Sequence, residues 1–401
     1  MTPPPLLHAF RRGTWQPSLD TAEPPGQGGV RLCLVPEIVA AADRRWWDGV
    51  APGLPPAPAD RRALLLRALD LFEHGVLTPG GLGPQSGDQF RTALWRTAGL
   101  PAALVDRWCG MLRSTLTNRH IPVPDEALAL VSLPGNTFTC LESVLEQAER
   151  SAAVWVRPSR REPLSAARLV AALLAAGWPP ERLALYPTGQ QALTGLIALT
   201  DRQIVFGGAG LAASVRASAA LTVRGPGRGC ALVPASSVTA DAVDWLLPLI
   251  AADSGRFCSN VRTVVCAGPA APLATALAAA LDAIRPEPAD PVWPLTAFRE
   301  PEEAHRTARS VTDRLAPEDR ILTRTPAVAE GPGGDTYVLP QLVLIDQGRR
   351  QTGPHPLIGH EVPFPFAAVV SATGPAAAAI TDGSLFVYRP LPDAAARRGT
   401  P

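Results

Sequence analysis

Paired metal ligands are missing from this chain. Its six cysteines, Cys33, Cys109, Cys140, Cys230, Cys258 and Cys266, form no CxxC pair, and no His-x3-His spacing accompanies them. Metal binding is therefore not supported, and in a reducing compartment the cysteines read as free thiols, mostly buried as small hydrophobes. The N-terminal MTPPPLLHAFRRGTWQP lacks the apolar core, about 7–15 residues long, of a signal peptide. The most apolar stretch, Leu169 to Trp178, falls well short of the roughly 20 residues that span a bilayer. A cytoplasmic protein without a membrane span is the expectation. Charge of one sign is missing too: the formal net charge is +1, and no basic run is interleaved with aromatics. Nucleic acid is thereby excluded as an expected partner.

The residues present are those of a globular protein, 46% hydrophobic against 18% charged over 401 positions. Arginine carries the positive charge, and Ala, Pro, Gly and Leu are abundant, as in GC-rich coding sequence. The first 60 or so residues are rich in Pro and Gly, with one strand-like run, VRLCLV at 30–35. Helical patterning begins at DRRALLLRALDLFEHGVL, and a helix pair follows through Trp108 and Leu112. Trp46 and Trp47 read as anchors for the N-terminal segment.

From about 127 the pattern changes to regular alternation. ALALVSL, SAAVWVRP, RLALYP, QIVFGG and ALTV read as strands, separated by the helices FTCLESVLEQAER, EPLSAARLVAALLAAG, GQQALTGLIAL and GLAASVRAS. A second alternating region begins near Gly229. Its strands are CALVP, VRTVVCAG, RILTR, TYVLPQLVLID and FAAVVSA, with helices ADAVDWLLPLIAAD, APLATALAAALDAI and EEAHRTARSVTDRL between them. Short apolar runs alternating with helices predict βαβ units around parallel sheets. Ligands in such sheets sit outside the carboxyl ends of the strands.

Five segments carry the chemistry: LPGN at 133–136, VRPSRREPLSA at 156–166, IVFGGAG at 204–210, SGRFCSNVRTVV at 254–265 and HPLIGHEVPFPFAAVV at 355–370. In this order and spacing the chain resembles the aldehyde dehydrogenase superfamily. Within it the likeness is to the acyl-reductase branch, typified by the fatty acid reductase subunit of bacterial bioluminescence systems. The resemblance runs from about 127 to about 370. It implies an α/β fold with a Rossmann-type cofactor domain at 127–228 and an α/β catalytic domain at 229–370. Residues 1–126 would be a lead-in packed on the cofactor domain, and 371–401 a segment returning to the body.

By the same resemblance Cys258 is the nucleophile, which must ionise to attack. Asn136 supplies a side-chain N–H to the oxyanion, beside the Cys258 backbone N–H. Arg157 stands where the family has a Lys that holds the adenosine ribose, followed by Ser159. Arg160 replaces a Glu usual in NAD-preferring members; it would pair with a 2′-phosphate, which favours NADPH, with NADH as the other nicotinamide. Gly207 and Gly208 form a turn for the pyrophosphate, with Gly207 and Ala209 in place of the family's Thr and Ser. Glu361 matches the Glu that grips the nicotinamide ribose. His355 and His360 read as loop residues, and Cys140 as a core residue.

One absence bears on the reaction. Hydrolytic members carry a Glu that activates water against the acyl-enzyme. Here Arg224 occupies that slot, and no Glu or Asp lies between 202 and 240. A thioester on Cys258 would therefore resist hydrolysis and persist for reduction. The implied reaction is reduction of an acyl thioester, on coenzyme A or a carrier thiol, to an aldehyde. The implied partners are an acyl-activating ligase subunit and further copies of the chain in a homo-oligomer. Two other readings stay open: a catalytically degenerate binding or scaffold subunit, and an ordinary NAD(P)-dependent aldehyde oxidiser. The acyl group, fatty or aromatic, is not readable.

Overall fold

The computed structural model describes residues 4–23, 29–51, 60–208, 210, 219–235, 240–287, 290, 292–346 and 355–390. The chain divides into two compact units, Met1–Gly225 and Pro226–Pro401.

In the first unit, short strands β1 (Leu6–Leu7), β4 (Thr21–Ala22) and β5 (Arg31–Cys33) form a small three-stranded sheet, while β2 (Ala9–Arg11) and β3 (Thr14–Gln16) join a larger one. Four helices follow: α1 (Glu37–Val50), α2 (Arg61–His74), α3 (Gly87–Ala98) and α4 (Ala102–Asn118). The main sheet then begins with β6 (Leu128–Ser132), α5 (Leu141–Arg150), β7 (Ala153–Arg157), α6 (Leu164–Ala176) and β8 (Leu183–Leu185). It ends with α7 (Leu193–Ala198), β9 (Arg202–Phe206) and β10 (Leu221–Arg224). Its order is β10-β9-β6-β7-β8-β2-β3, with β10 through β8 mutually parallel and β2 and β3 antiparallel at the edge. Every residue of β6 and β7 is buried, as expected of strands covered on both faces.

Helix α1 is not apparent in the Pro- and Gly-rich texture of the N-terminal region. Tertiary contacts fix it: its Asp43 is 2% exposed and accepts from Arg11, Arg12 (2.6 Å) and the Tyr186 hydroxyl (3.0 Å). Trp47 packs with Trp155 and Tyr186 in one apolar cluster, and the Arg12 guanidinium lies over the Trp46 ring. Two guanidiniums and a phenol together satisfy the charge and the hydrogen-bonding capacity of the buried carboxylate. Helix α3 has a capping box, in which the Ser86 side chain accepts from Gln89 N and the Gln89 side chain accepts from Ser86 N. The helix read at GQQALTGLIAL is shorter than expected and covers only Leu193–Ala198. Most of the one read at GLAASVRAS lies outside the described residues.

The second unit has a six-stranded sheet. Its elements are β11 (Gly229–Val233), α8 (Ala240–Ala251), β12 (Val261–Cys266), α9 (Ala271–Asp282), α10 (Pro301–Thr312) and β13 (Arg320–Ile321). Then come β14 (Val328–Glu330), β15 (Thr336–Val338), β16 (Gln341–Ile345), β17 (Phe366–Ser371), α11 (Gly374–Asp382) and β18 (Val387–Tyr388). The order is β13-β16-β17-β12-β11-β18, parallel from β16 to β18, while β14 and β15 form a separate hairpin. The run TYVLPQLVLID is two strands, not one: it breaks at Leu339–Pro340, because proline cannot donate to a ladder. The segment after 371 adds helix α11 and edge strand β18.

Candidate active site

In the first unit the order β9-β6-β7 puts a topological switch point between β6 and β9. The chain leaves β6 toward β7 and β8 on one side, then returns to β9 and β10 on the other. A crevice at the carboxyl ends of such strands is where open α/β sheets bind ligands. The LPGN turn with Asn136 follows β6, Arg157 closes β7, and Gly207 and Gly208 follow β9, so three of the five segments share one sheet edge. Asn136 is half-buried there.

Arg157 is 7% exposed and bonded to uncharged acceptors: Thr188 Oγ1 at 2.9 Å, Ser132 Oγ at 3.2 Å, Gln190 Oε1 at 3.2 Å and Gly189 O at 3.4 Å. Burial, helped by the nearby charge of Arg160, lowers its pKa to about 10. Arg160 itself is exposed, and the Ser159 hydroxyl accepts from Arg161 N at 3.1 Å. Two guanidiniums close enough to repel, one of them buried with no carboxylate among its bonded partners, make this edge a place for an anion. Gly208 is exposed, and a methyl group added there would meet nothing within 4 Å, so packing within the protein does not demand a glycine. The buried carboxylate of Glu162 does not compensate the pair; its Oε1 accepts from Ser165 N at 2.9 Å at the start of α6. Arg224, the residue in the water-activating slot, ends the edge strand β10 and is exposed.

In the second unit the chemistry lies at the opposite edge of its sheet. Cys258 precedes β12, Gly227 precedes β11 and Glu361 precedes β17, so all three stand at the amino ends of adjacent parallel strands. After α8 the chain turns through Asp253 (φ 55°), Ser254 (φ 58°) and Gly255 (φ 63°), three successive left-handed residues. Two of these carry side chains, which costs about 1–2 kcal/mol each. Thr296 holds the turn, donating its N–H to Ser254 Oγ at 2.9 Å. Asn260, 5% exposed, closes it. Its Oδ1 accepts from Phe257 N at 2.8 Å, and its Nδ2 donates to Leu249 O and Ala252 O, both at 3.2 Å. The resulting loop presents Cys258 exposed.

Glu361 is anchored by backbone. Its Oε1 accepts from Gly227 N at 2.6 Å and Arg228 N at 3.2 Å, and Oε2 accepts no hydrogen bond among the described residues. Gly227 is pressed against the cysteine: an added Cβ would fall on the Cys258 carbonyl oxygen and lie 2.9 Å from Cys258 Cβ. Only glycine permits that approach. Beneath lies Arg262, 2% exposed, donating Nη1–H to Phe364 O at 3.0 Å and Nη2–H to Gly255 O. Burial lowers its pKa to about 10, against the opposing pull of Glu361 and Cys258. The Tyr388 hydroxyl donates to Ser259 O at 2.9 Å.

Of the six cysteines, only Cys258 is exposed and Cys140 is half-buried; the other four are buried. Burial raises the thiol of Cys109 to about 12 and those of Cys230 and Cys266 to about 11, beyond use as nucleophiles. His355 is a loop residue, as expected, but a buried one: it is 2% exposed, and its ring lies 2.8 Å from Asp319. His360 is half-buried near Ser310 Oγ, and burial lowers its pKa to about 4. Sequence reasoning missed Arg262, Gly227 and Asn260. Arg262 did leave a signal, being the one charged residue in the strand-like run VRTVVC.

No family model and no curated protein matches the chain. Solved structures do. A variant of an aldehyde dehydrogenase from Bacillus cereus superposes with a TM-score of 0.73 at 13% identity, over 94% of this chain and 82% of that one. A salicylaldehyde dehydrogenase from Pseudomonas putida G7, complexed with salicylaldehyde, gives 0.72 at 15% identity over 94% and 83%. An indole-3-acetaldehyde dehydrogenase complexed with NAD+ gives 0.68 at 16% identity over 95% and 82%. The chain has the aldehyde dehydrogenase fold, with a Rossmann-like parallel sheet in its first unit and a second parallel-sheet unit after it. Identities this low show the fold alone. Among the described residues no helix is long and apolar enough to cross a membrane.

Proposed function

We propose that the chain is an NADPH-dependent reductase that takes an activated acyl group from a thioester to an aldehyde through Cys258. The observation that carries this is the state of the cysteines: Cys258 alone is exposed, on a turn held in place by Asn260 and Thr296. Cys258 attacks the acyl carbonyl as thiolate, its own backbone N–H donates to the oxyanion, with the Asn136 side-chain amide as the second donor that the resemblance implies, and the external thiol leaves. The carboxyl edge of the first unit fits a phosphorylated nucleotide, by the anion-seeking pair Arg157 and Arg160, by Ser159, and by the open backbone of Gly208; Gly207 shapes the turn but does not offer its N–H, which donates to Arg224 O at 3.1 Å. A reduced nicotinamide, when bound, supplies a hydride for the acyl carbon. The thiohemiacetal on Cys258 then collapses to aldehyde and thiolate. Arg224 in place of a water-activating carboxylate supports a long-lived acyl-enzyme. A coenzyme A or carrier-thiol donor, an acyl-activating ligase subunit and a homo-oligomer belong to the same proposal.

A second reading, oxidation of an aldehyde to the acid, needs a base beside Cys258. Glu361 favours it by one observation: its carboxylate is anchored through Oε1 alone. Titration with NADPH and NADH followed by product analysis decides between them. The reductase reading expects NADPH to bind more tightly than NADH, with the preference lost in Arg160→Glu. It also expects aldehyde from acyl-coenzyme A in the wild type and none in Cys258→Ala. Free acid from aldehyde and oxidised cofactor would establish the oxidiser instead. No nucleotide binding at millimolar concentration would favour a scaffold subunit.

A further inference from the structure

Arg262 has no place in the chemistry just described, yet it is among the most deeply buried charged groups in the second unit. One terminal nitrogen holds Gly255 O, three residues before Cys258, and the other holds Phe364 O, three residues after Glu361. The two loops meet there: an added Cβ on Gly255 would lie 2.6 Å from the carbonyl group of Phe364 and from Pro365 N. Arg262 Nε is buried and has no hydrogen-bond partner among the described residues. A buried guanidinium left with an unused donor is costly unless a nearby negative charge compensates it. The acidic groups in its electrostatic reach include the Glu361 carboxylate and the Cys258 thiol.

We propose that Arg262 is a positioning residue that locks the Cys258 and Glu361 loops together and sets its buried positive charge beside the Cys258 thiol. This rests on Cys258 being the nucleophile. Other groups near Cys258 include the Tyr388 phenol on β18, which is uncharged at neutral pH, and the Glu361 carboxylate, whose negative charge opposes ionisation of the thiol. Arg228, whose N–H holds Glu361, and His360, which feels the charge of Arg262, also lie in this region.

The test is the pH profile of Cys258 alkylation by iodoacetamide, read at that residue by mass spectrometry in the intact chain. The wild-type thiol should titrate below the ~8.5 of free cysteine. Arg262→Gln should slow alkylation at pH 7 about tenfold, equivalent to one pKa unit, and Arg262→Lys should restore part of the rate. Glu361→Gln should act in the opposite sense and speed alkylation about threefold, because it removes a repelling charge. A purely structural role would not move the two variants in opposite directions. A wild-type profile at or above that of free cysteine would overturn the proposal, and so would a Glu361→Gln rate no faster than wild type. Both remain decisive if Arg262→Gln fails to fold. A depressed profile without acyl reduction would leave the proposal standing and remove the reductase reading; a normal profile with full acyl reduction would do the reverse.

Discussion

Gly227→Ala gives the sharpest test of how the second unit holds its cysteine. The added methyl would fall on the Cys258 carbonyl oxygen, 2.6 Å from its carbonyl carbon and 2.9 Å from its Cβ. These are backbone and near-backbone atoms, so no side chain can swing aside. Relief requires the loop before β11 to part from the turn before β12, at a cost of about 1–3 kcal/mol, the usual range for overpacking. The same movement draws Gly227 N away from Glu361 Oε1, now 2.6 Å distant. A hydrogen bond to a charged group contributes about 1.5–3 kcal/mol. The sum, about 2.5–6 kcal/mol, is a large part of the ~5–15 kcal/mol that holds a domain together. Urea denaturation of the variant should show that loss in its midpoint, and nucleotide-independent alkylation of Cys258 should change in rate. Gly208→Ala is the control, since its methyl meets nothing within 4 Å; its urea midpoint should match wild type while nucleotide affinity falls. A Gly227→Ala protein with wild-type midpoint and wild-type alkylation would refute the packing argument.

Other variants test neighbouring parts. Asn260→Ala removes three hydrogen bonds that close the Cys258 turn; at about 1 kcal/mol each, the urea midpoint should register a loss of about 3 kcal/mol. For His360, the folded value near 4 lies below the ~6.5 of an unfolded histidine. The unfolded chain therefore takes up the proton first, and the stability given by neutral His360 is full above about pH 6.5 and falls as pH drops toward 4. Melting temperatures of His360→Gln should fall less than those of wild type over that window. Glu162 behaves oppositely: burial raises its carboxyl, so its stability contribution is present at low pH and lost as pH rises through the folded value. Glu162→Gln, which keeps the acceptor for Ser165 N, should match wild type near pH 4 and melt higher at pH 8.

The alternation of strands and helices from 127 onward was legible because strands buried on both faces must be nearly all apolar, as LALVS and AVWVR are. The places of Cys258, in a polar turn ahead of a strand, and of Arg157, at a strand end, were legible in the alternation, while their roles rest on the resemblance to the family. Helix α1 was not, because Asp43 among arginines looks like an exposed acid until Arg11, Arg12 and Tyr186 are brought to it from elsewhere in the chain. His355 lies in a loop as read, but its burial was not legible for the same reason: Asp319, its partner, is far away in sequence. Gly227 and Arg262 were missed because their roles depend on which strands lie side by side, and strand order is set by tertiary packing, with no period of its own.

The two units place chemistry at opposite sheet edges, and this has an electrostatic consequence. In a parallel α/β sheet the helices run back along the strands, so their N-termini gather at the strands' carboxyl ends and their C-termini at the amino ends. Each N-terminus carries roughly half a positive charge. Asn136, Arg157 and the Gly207–Gly208 turn therefore sit where backbone itself favours an anion. Cys258 and Glu361 do not: they stand at the amino edge, where α8 ends in carbonyl groups such as Leu249 O and Ala252 O, which Asn260 caps. A thiolate and a carboxylate at that edge face the negative ends of helices. Helix ends do not stabilise them there: Glu361 is held by the Gly227 and Arg228 N–H groups instead, and the proposed thiolate needs a positive side chain. The chain contains no lysine, and a guanidinium is the group that can remain charged when fully buried. Arg262, the one charged residue in β12, is where that requirement is met.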